Sequence, residues 1–125
     1  AIEYLNMVNM DTIEDVFLLY HKKALAYIRK GDLGEAKTFL KDMENWLLNN
    51  PGHMVEQLMY EEAMMECEDN FLDDPKYLVL LEELMEVLRE ERHKGYLIFY
   101  KSIMMKAYVR QRKYKKAYEL EALLS

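Results

Sequence analysis

Residues 90–93 read Glu90, Glu91, Arg92, His93, and Glu90 with His93 is the chain's one spacing suited to a metal ion. On a helix, residues three apart share a face and both can reach one ligand. A di-iron carboxylate bundle needs two such motifs plus two further glutamates turned into one interior. His21 and His53 have no Glu three positions earlier, so the second motif is missing. Glu61, Glu62, Glu66, Asp69, Asp73 and Asp74 form an acidic run. Paired carboxylates do acid–base work when burial raises one pKa, but this run falls on a polar face or in a turn. It also lacks the spacing of a calcium-binding loop. Cys67 sits on the apolar side of its segment with no His partner by spacing, which reads as a buried inert thiol. The two serines, Ser102 and Ser125, stand outside any nucleophile elbow, and no glycine-rich phosphate loop occurs. The expectation is no catalytic residue, no metal site and no cofactor, with a small metal-dependent enzyme as the remote rival.

Composition points the same way. The 125 residues are 51% hydrophobic and 32% charged, which excludes disorder and leaves one domain or a slice of a larger protein. Only four Gly and two Pro occur, too few for a sandwich or a doubly wound sheet. A single cysteine excludes a disulfide framework and fits a reducing, cytoplasmic compartment. No apolar run reaches membrane-spanning length, and no basic start leads into an apolar stretch with a small-residue cleavage site. The start at Ala1 and the end at Ser125 inside a helical pattern give the expectation of a piece of a longer protein.

The net charge of −6 argues against nucleic-acid binding. The charge is uneven. Residues 1–53 carry −2, residues 54–92 carry −10 and residues 93–125 carry +6. Such blocks read as solvated faces or as contacts between segments, and secondarily as a surface for a charged partner.

The elements that would carry these residues are helices. Ile13, Phe17, Tyr20, Ala24 and Tyr27 draw one stripe, capped by Asp11 with Glu14 and ended by Gly31. Asp32 with Glu35 opens a second helix, with Leu33, Ala36, Leu40, Met43 and Leu47 as its stripe, stopping near Asn49. A third is expected from Pro51 to Asn70, followed by a turn from Asp69 to Asp74. Asp74 and Pro75 start a fourth that runs to about Arg92, and Gly95 marks the next break. Tyr96, Tyr100, Ile103, Ala107 and Tyr108 belong to a fifth helix, and a sixth starts near Lys113. Ala1 to Val8 reads as the remnant of a preceding helix. Nothing alternates with period two, so the fold class is all-α, and short connections make neighbours antiparallel.

The segment from Ala24 to Ala36 and that from Ala107 to Ala117 superpose with Tyr27 on Tyr108, Gly31 on Arg112, Leu33 on Tyr114 and Ala36 on Ala117. Here the chain resembles the tetratricopeptide repeat family, whose first helix ends in Ala-Tyr-x-x-x-Gly-Asp and whose second opens with aromatic-x-x-Ala. The glycine permits the tight turn, the aromatic fills the gap between helices, and alanine lets them approach. The opening Ala1 to Leu5 resembles the start of that second helix.

The resemblance implies a right-handed stack of antiparallel helical hairpins, a TPR-like superhelix filling one domain. Residues 1–10 would be the remnant, 11–51 the first repeat, 52–93 a divergent second and 94–125 a third. Arg112 stands where glycine is usual, and the middle unit lacks the glycine–aspartate turn.

Ligands of this family usually lie in the concave groove lined by the first helix of each hairpin. Its positions fall here on His21, Leu25 and Arg29, on Tyr60 and Met64, and on Ser102, Lys106 and Arg110. Cations at both ends would suit a protein or peptide segment that is acidic or carries a free carboxylate. The ten Met and ten Tyr read first as core packing and second as an adaptable binding surface.

The function expected is therefore a non-enzymatic protein- and peptide-binding module. By analogy with similar degenerate repeats, it would be the sensory or regulatory part of a bacterial signalling protein, upstream of a diguanylate cyclase or beside a DNA-binding domain. The alternative is a structural dimerisation or spacing element. In a homodimer of that kind, the acidic middle of one copy faces the basic end of another.

Overall fold

The computed structural model describes residues 12–124, all of whose regular elements are helical. The remnant expected at Ala1 to Val8, the cap at Asp11 and the serine at 125 lie outside the described residues. The chain divides into two compact units, Ala1–Cys67 and Glu68–Ser125. The division falls inside the segment read as the second repeat, so its two helices belong to different units.

The first unit holds α1 (Ile13–Lys30), α2 (Leu33–Asn49) and α3 (Met54–Glu66). Helix α1 opens on a reciprocal cap. Thr12 Oγ1 accepts from Asp15 N at 3.3 Å, and Asp15 Oδ2 accepts from Thr12 N at 3.2 Å. It closes at Gly31, whose φ of 88° is left-handed. Two residues then separate α1 from α2, which obliges α2 to run back along it, and α1 packs on both α2 and α3. Asp32 Oδ1 caps α2 by accepting from Glu35 N at 3.1 Å.

Phe17, Ala24, Leu25 and Ile28 are buried on α1, and Ala36, Leu40, Met43 and Trp46 on α2. Trp46 ties the unit together. Its ring lies 5.1 Å from that of Phe17, its Nε1 donates to Ile13 O at 3.1 Å, and the His53 ring meets it edge-on at 5.0 Å. The buried face of α1 is rotated from the expected stripe. Ile13 is half exposed, and His21, Leu25 and Ile28 take core places. Helix α3 starts at Met54, not Pro51, because Gly52 holds a φ of 89° that no helix continues through. It ends at Glu66 rather than Asn70.

The second unit holds a 3₁₀ turn (Phe71–Asp73), α4 (Pro75–Glu90), α5 (Lys94–Arg110) and α6 (Tyr114–Leu124). Asp74 Oδ1 caps α4 by accepting from Lys76 N at 2.9 Å, with Pro75 in the first turn. Helix α5 packs on α4, on α6 and on the 3₁₀ turn. Leu81, Leu84, Leu88, Tyr77, Tyr100 and Ala107 are completely buried. The break before α5 is at Arg92, which takes a φ of 60°, while Gly95 lies inside the helix.

Three connections share one backbone geometry. Gly31, Arg92 and Arg112 are left-handed, with φ of 88°, 60° and 60°. At each, the left-handed residue donates three residues back: Gly31 to Ile28, Arg92 to Arg89, Arg112 to Val109. The next residue donates five back: Asp32 to Tyr27, His93 to Leu88, Lys113 to Tyr108. This is the double closure of a helix end on a left-handed residue, and the following helix begins at once. Arg112 thus adopts the conformation of Gly31, the position it matches in sequence. Of the matched small residues, Ala36 and Ala117 are both buried, 0% and 6% exposed, whereas Ala107 is buried and its match Ala26 is exposed. Tyr114 departs from the expected gap-filling role, being 60% exposed, and its match Leu33 is 38% exposed.

Candidate binding surface

The eight expected groove residues divide between the units. Five lie in the first. His21 and Leu25 are buried, 3% and 4% exposed, so neither offers an open wall. The reason is register: they fall on the face of α1 that carries Phe17 and Ala24. The His21 imidazole stacks on Phe17 with centroids 6.4 Å apart. Burial, helped by the Arg29 charge, lowers its pKa from 6.5 to about 4, so it is neutral at pH 7.

Arg29 keeps a half-exposed side chain that forks onto Glu66, with Nε 3.4 Å from Oε1 and Nη2 3.3 Å from Oε2. The Tyr60 hydroxyl donates to Glu44 Oε2 at 3.1 Å, and Lys41 Nζ reaches Oε1 of the same carboxylate at 3.0 Å. Those two bonds, Lys41's first, hold the Glu44 carboxyl below its usual range. Met64 is exposed.

In the second unit Ser102, Lys106 and Arg110 are all exposed on α5. A cavity of about 420 Å³ brings Lys106 and Arg110 together with Leu72, Met105 and Val109. Ser102 does not line it. Arg110 forks onto Asp73, with Nε 3.0 Å from Oδ1 and Nη2 2.7 Å from Oδ2. That bonding and its charge raise the guanidinium pKa further. Both arginines expected to await a ligand carboxylate therefore already hold one from their own unit. Glu66 follows Arg29 in the chain and Asp73 precedes Arg110, so the two pairs are not copies of each other.

A second, more polar depression of about 290 Å³ adjoins Tyr108, Glu82 and Lys116. Glu82 Oε2 accepts from the Tyr108 hydroxyl at 2.9 Å and from Lys116 Nζ at 3.3 Å. Burial first, and the Glu82 bond second, push the Tyr108 phenol strongly up. Sequence reasoning missed Leu72 because the stretch from Asp69 to Asp74 reads only as a turn, and missed Met105 and Val109 because no local spacing links them to that turn. It missed Glu82 because no local spacing links it to Tyr108.

The residues weighed for other chemistry take structural places. Glu62 and Glu66, assigned to a polar face, are buried instead, 0% and 6% exposed, because that side of α3 also carries Met59 and Ala63. Asp74 caps α4. His93 Nε2 lies 3.3 Å from Glu91 Oε2 at an exposed helix end. Cys67 is half-buried, with Sγ 3.6 Å from Ala63 O. Among the described residues no group of three or more His, Cys, Asp or Glu side chains could hold a metal ion, and no helix is long and apolar enough to cross a membrane. No protein-family model matches the chain, and comparison with the curated proteins and with the solved structures found no match.

Proposed function

We propose that this chain is a non-enzymatic binding module for a protein or peptide segment, built as a right-handed stack of degenerate tetratricopeptide-like hairpins. In this reading it is the regulatory or sensory part of a larger bacterial signalling protein. The same turn at the matched positions Gly31 and Arg112, each followed by a buried alanine, Ala36 and Ala117, supports the repeat architecture. The cavity that unites Lys106 and Arg110 over Leu72, Met105 and Val109 carries the binding reading. It offers an apolar floor beside Lys106 and the Asp73-paired Arg110, which suits a segment with acidic groups that can compete for the guanidinium.

A second reading, self-association through opposite charge, is favoured by Arg112, Lys113 and Lys115. These are exposed and form no ion pair among the described residues. Light scattering at about 50 mM and about 500 mM salt separates the two. A binding module keeps a monomer mass at both and loses selected acidic peptides on Arg29→Ala or Arg110→Ala. A dimer that dissociates at high salt would replace it with the second reading.

A further inference from the structure

The cavity on α5 is bounded by the chain's own 3₁₀ turn. Gln111 Nε2 donates to Leu72 O at 2.9 Å and to Asp74 O at 3.0 Å, and the Phe71 ring meets Tyr77 edge-on at 5.0 Å. These contacts hold the turn without help from the Asp73 side chain. Beyond its backbone bond to Asn70 O, Asp73 adds only the side-chain fork to Arg110, and both side chains stay substantially exposed, 42% and 53%. The pair is open to solvent, so an external carboxylate can reach the same two donors, in competition with a bidentate fork that is stronger than a single-contact surface pair. The planar two-donor edge of Arg110 is matched to any carboxylate. Lys106 stands on the same rim and forms no ion pair among the described residues. Val109 is about half exposed and Met105 and Leu72 complete an apolar wall. The cavity is an open, shallow depression of about 420 Å³, able to take one short side chain and its carboxylate neighbour but not to enclose a ligand.

We infer that Arg110 is a carboxylate site occupied by the chain's own Asp73. A partner segment with an acidic residue next to an apolar one displaces Asp73, placing its carboxylate on Arg110 and Lys106 and its apolar side chain against Leu72, Met105 and Val109. This rests on the binding-module reading and names the chemistry of the partner.

The test is an NMR titration of the full chain with N-acetyl-Leu-Asp-amide, with N-acetyl-Leu-Asn-amide as control. The acidic probe is expected to shift the Met105 methyl and the Val109 signals. It is expected to bind Asp73→Asn about threefold to fivefold tighter than the parent chain, the factor that removing an exposed internal competitor allows. Arg110→Ala is expected to lose it. Equal binding by the parent and Asp73→Asn, full binding by Arg110→Ala, or no shift at Met105 and Val109 in Asp73→Asn overturns the inference. Peptides selected on the whole chain that depend on Arg29 but not on Arg110 would overturn it while leaving the binding-module reading standing.

Discussion

Replacing Arg112 by glycine should stabilise the protein, although it deletes a long side chain. Arg112 sits at a φ of 60° and donates to Val109 O at 3.0 Å, while Lys113 donates to Tyr108 O at 2.8 Å. The fold holds that residue left-handed. For an L-residue other than glycine this conformation costs about 1–2 kcal/mol, because Cβ crowds the following carbonyl. Glycine removes the cost but adds freedom to the unfolded chain, about 0.4–1 kcal/mol in the opposite direction. The balance is a gain of roughly 0.5–1 kcal/mol, read as a rise of about 2–5 °C in the thermal midpoint by circular dichroism.

Gly31 supplies the converse. A Cβ built there meets no atom within 4 Å, so Gly31→Ala suffers only the backbone penalty at a φ of 88°. It should lose about the same amount that Arg112→Gly gains. Arg112→Ala removes the charge and keeps the strained φ, so it should give no comparable gain. A midpoint lowered by Arg112→Gly, or raised equally by Arg112→Ala, would refute the argument. The first result would mean that the arginine side chain stabilises the turn; the second, that relief of positive charge was the cause.

Two further outcomes concern the first unit. The folded pKa of His21 is lowered to about 4, below the 6.5 of the unfolded chain, so the unfolded state binds more protons between those values. The stabilisation from its neutral form is complete above pH 6.5 and is lost as pH falls towards 4, a change of about 3 kcal/mol. The difference between the urea midpoints of the parent and His21→Leu should therefore be constant above pH 6.5 and shift against the parent as pH falls towards 4; parallel curves across that range would contradict this. Phe17 is completely buried against Trp46, so Phe17→Ala should cost about 3–5 kcal/mol and red-shift the fluorescence of this single tryptophan.

Wherever a rule of local chemistry governed the residue, the helices could be read from the sequence. Asp74 before Pro75 starts α4, Asp32 caps α2, and Gly31 ends α1 at the expected places. Errors arose where two residues could serve. Gly52 rather than Pro51 controls the entry to α3, and Arg92 rather than Gly95 takes the left-handed turn before α5. The candidate surface was less legible. Apolar spacing defines a stripe but not its rotation by one position, and that rotation put His21 and Leu25 in the core and left Ile13 half exposed. Nor does spacing show that Arg29 and Arg110 already hold carboxylates, because Glu66 and Asp73 lie 37 residues away in each case.

The sequence alone determined that this chain is helical and how most of its helices begin and end, because caps, breakers and the 3.6-residue period act over a few neighbouring residues. Only the tertiary structure decided which polar groups are buried and which charges meet. It placed Glu62 in the interior, set the Tyr108 hydroxyl on Glu82, and closed Asp73 onto Arg110 beside an apolar cavity. Those outcomes depend on how one helix rotates against the next, and the free energy that sets that rotation is shared among many side chains distant in sequence.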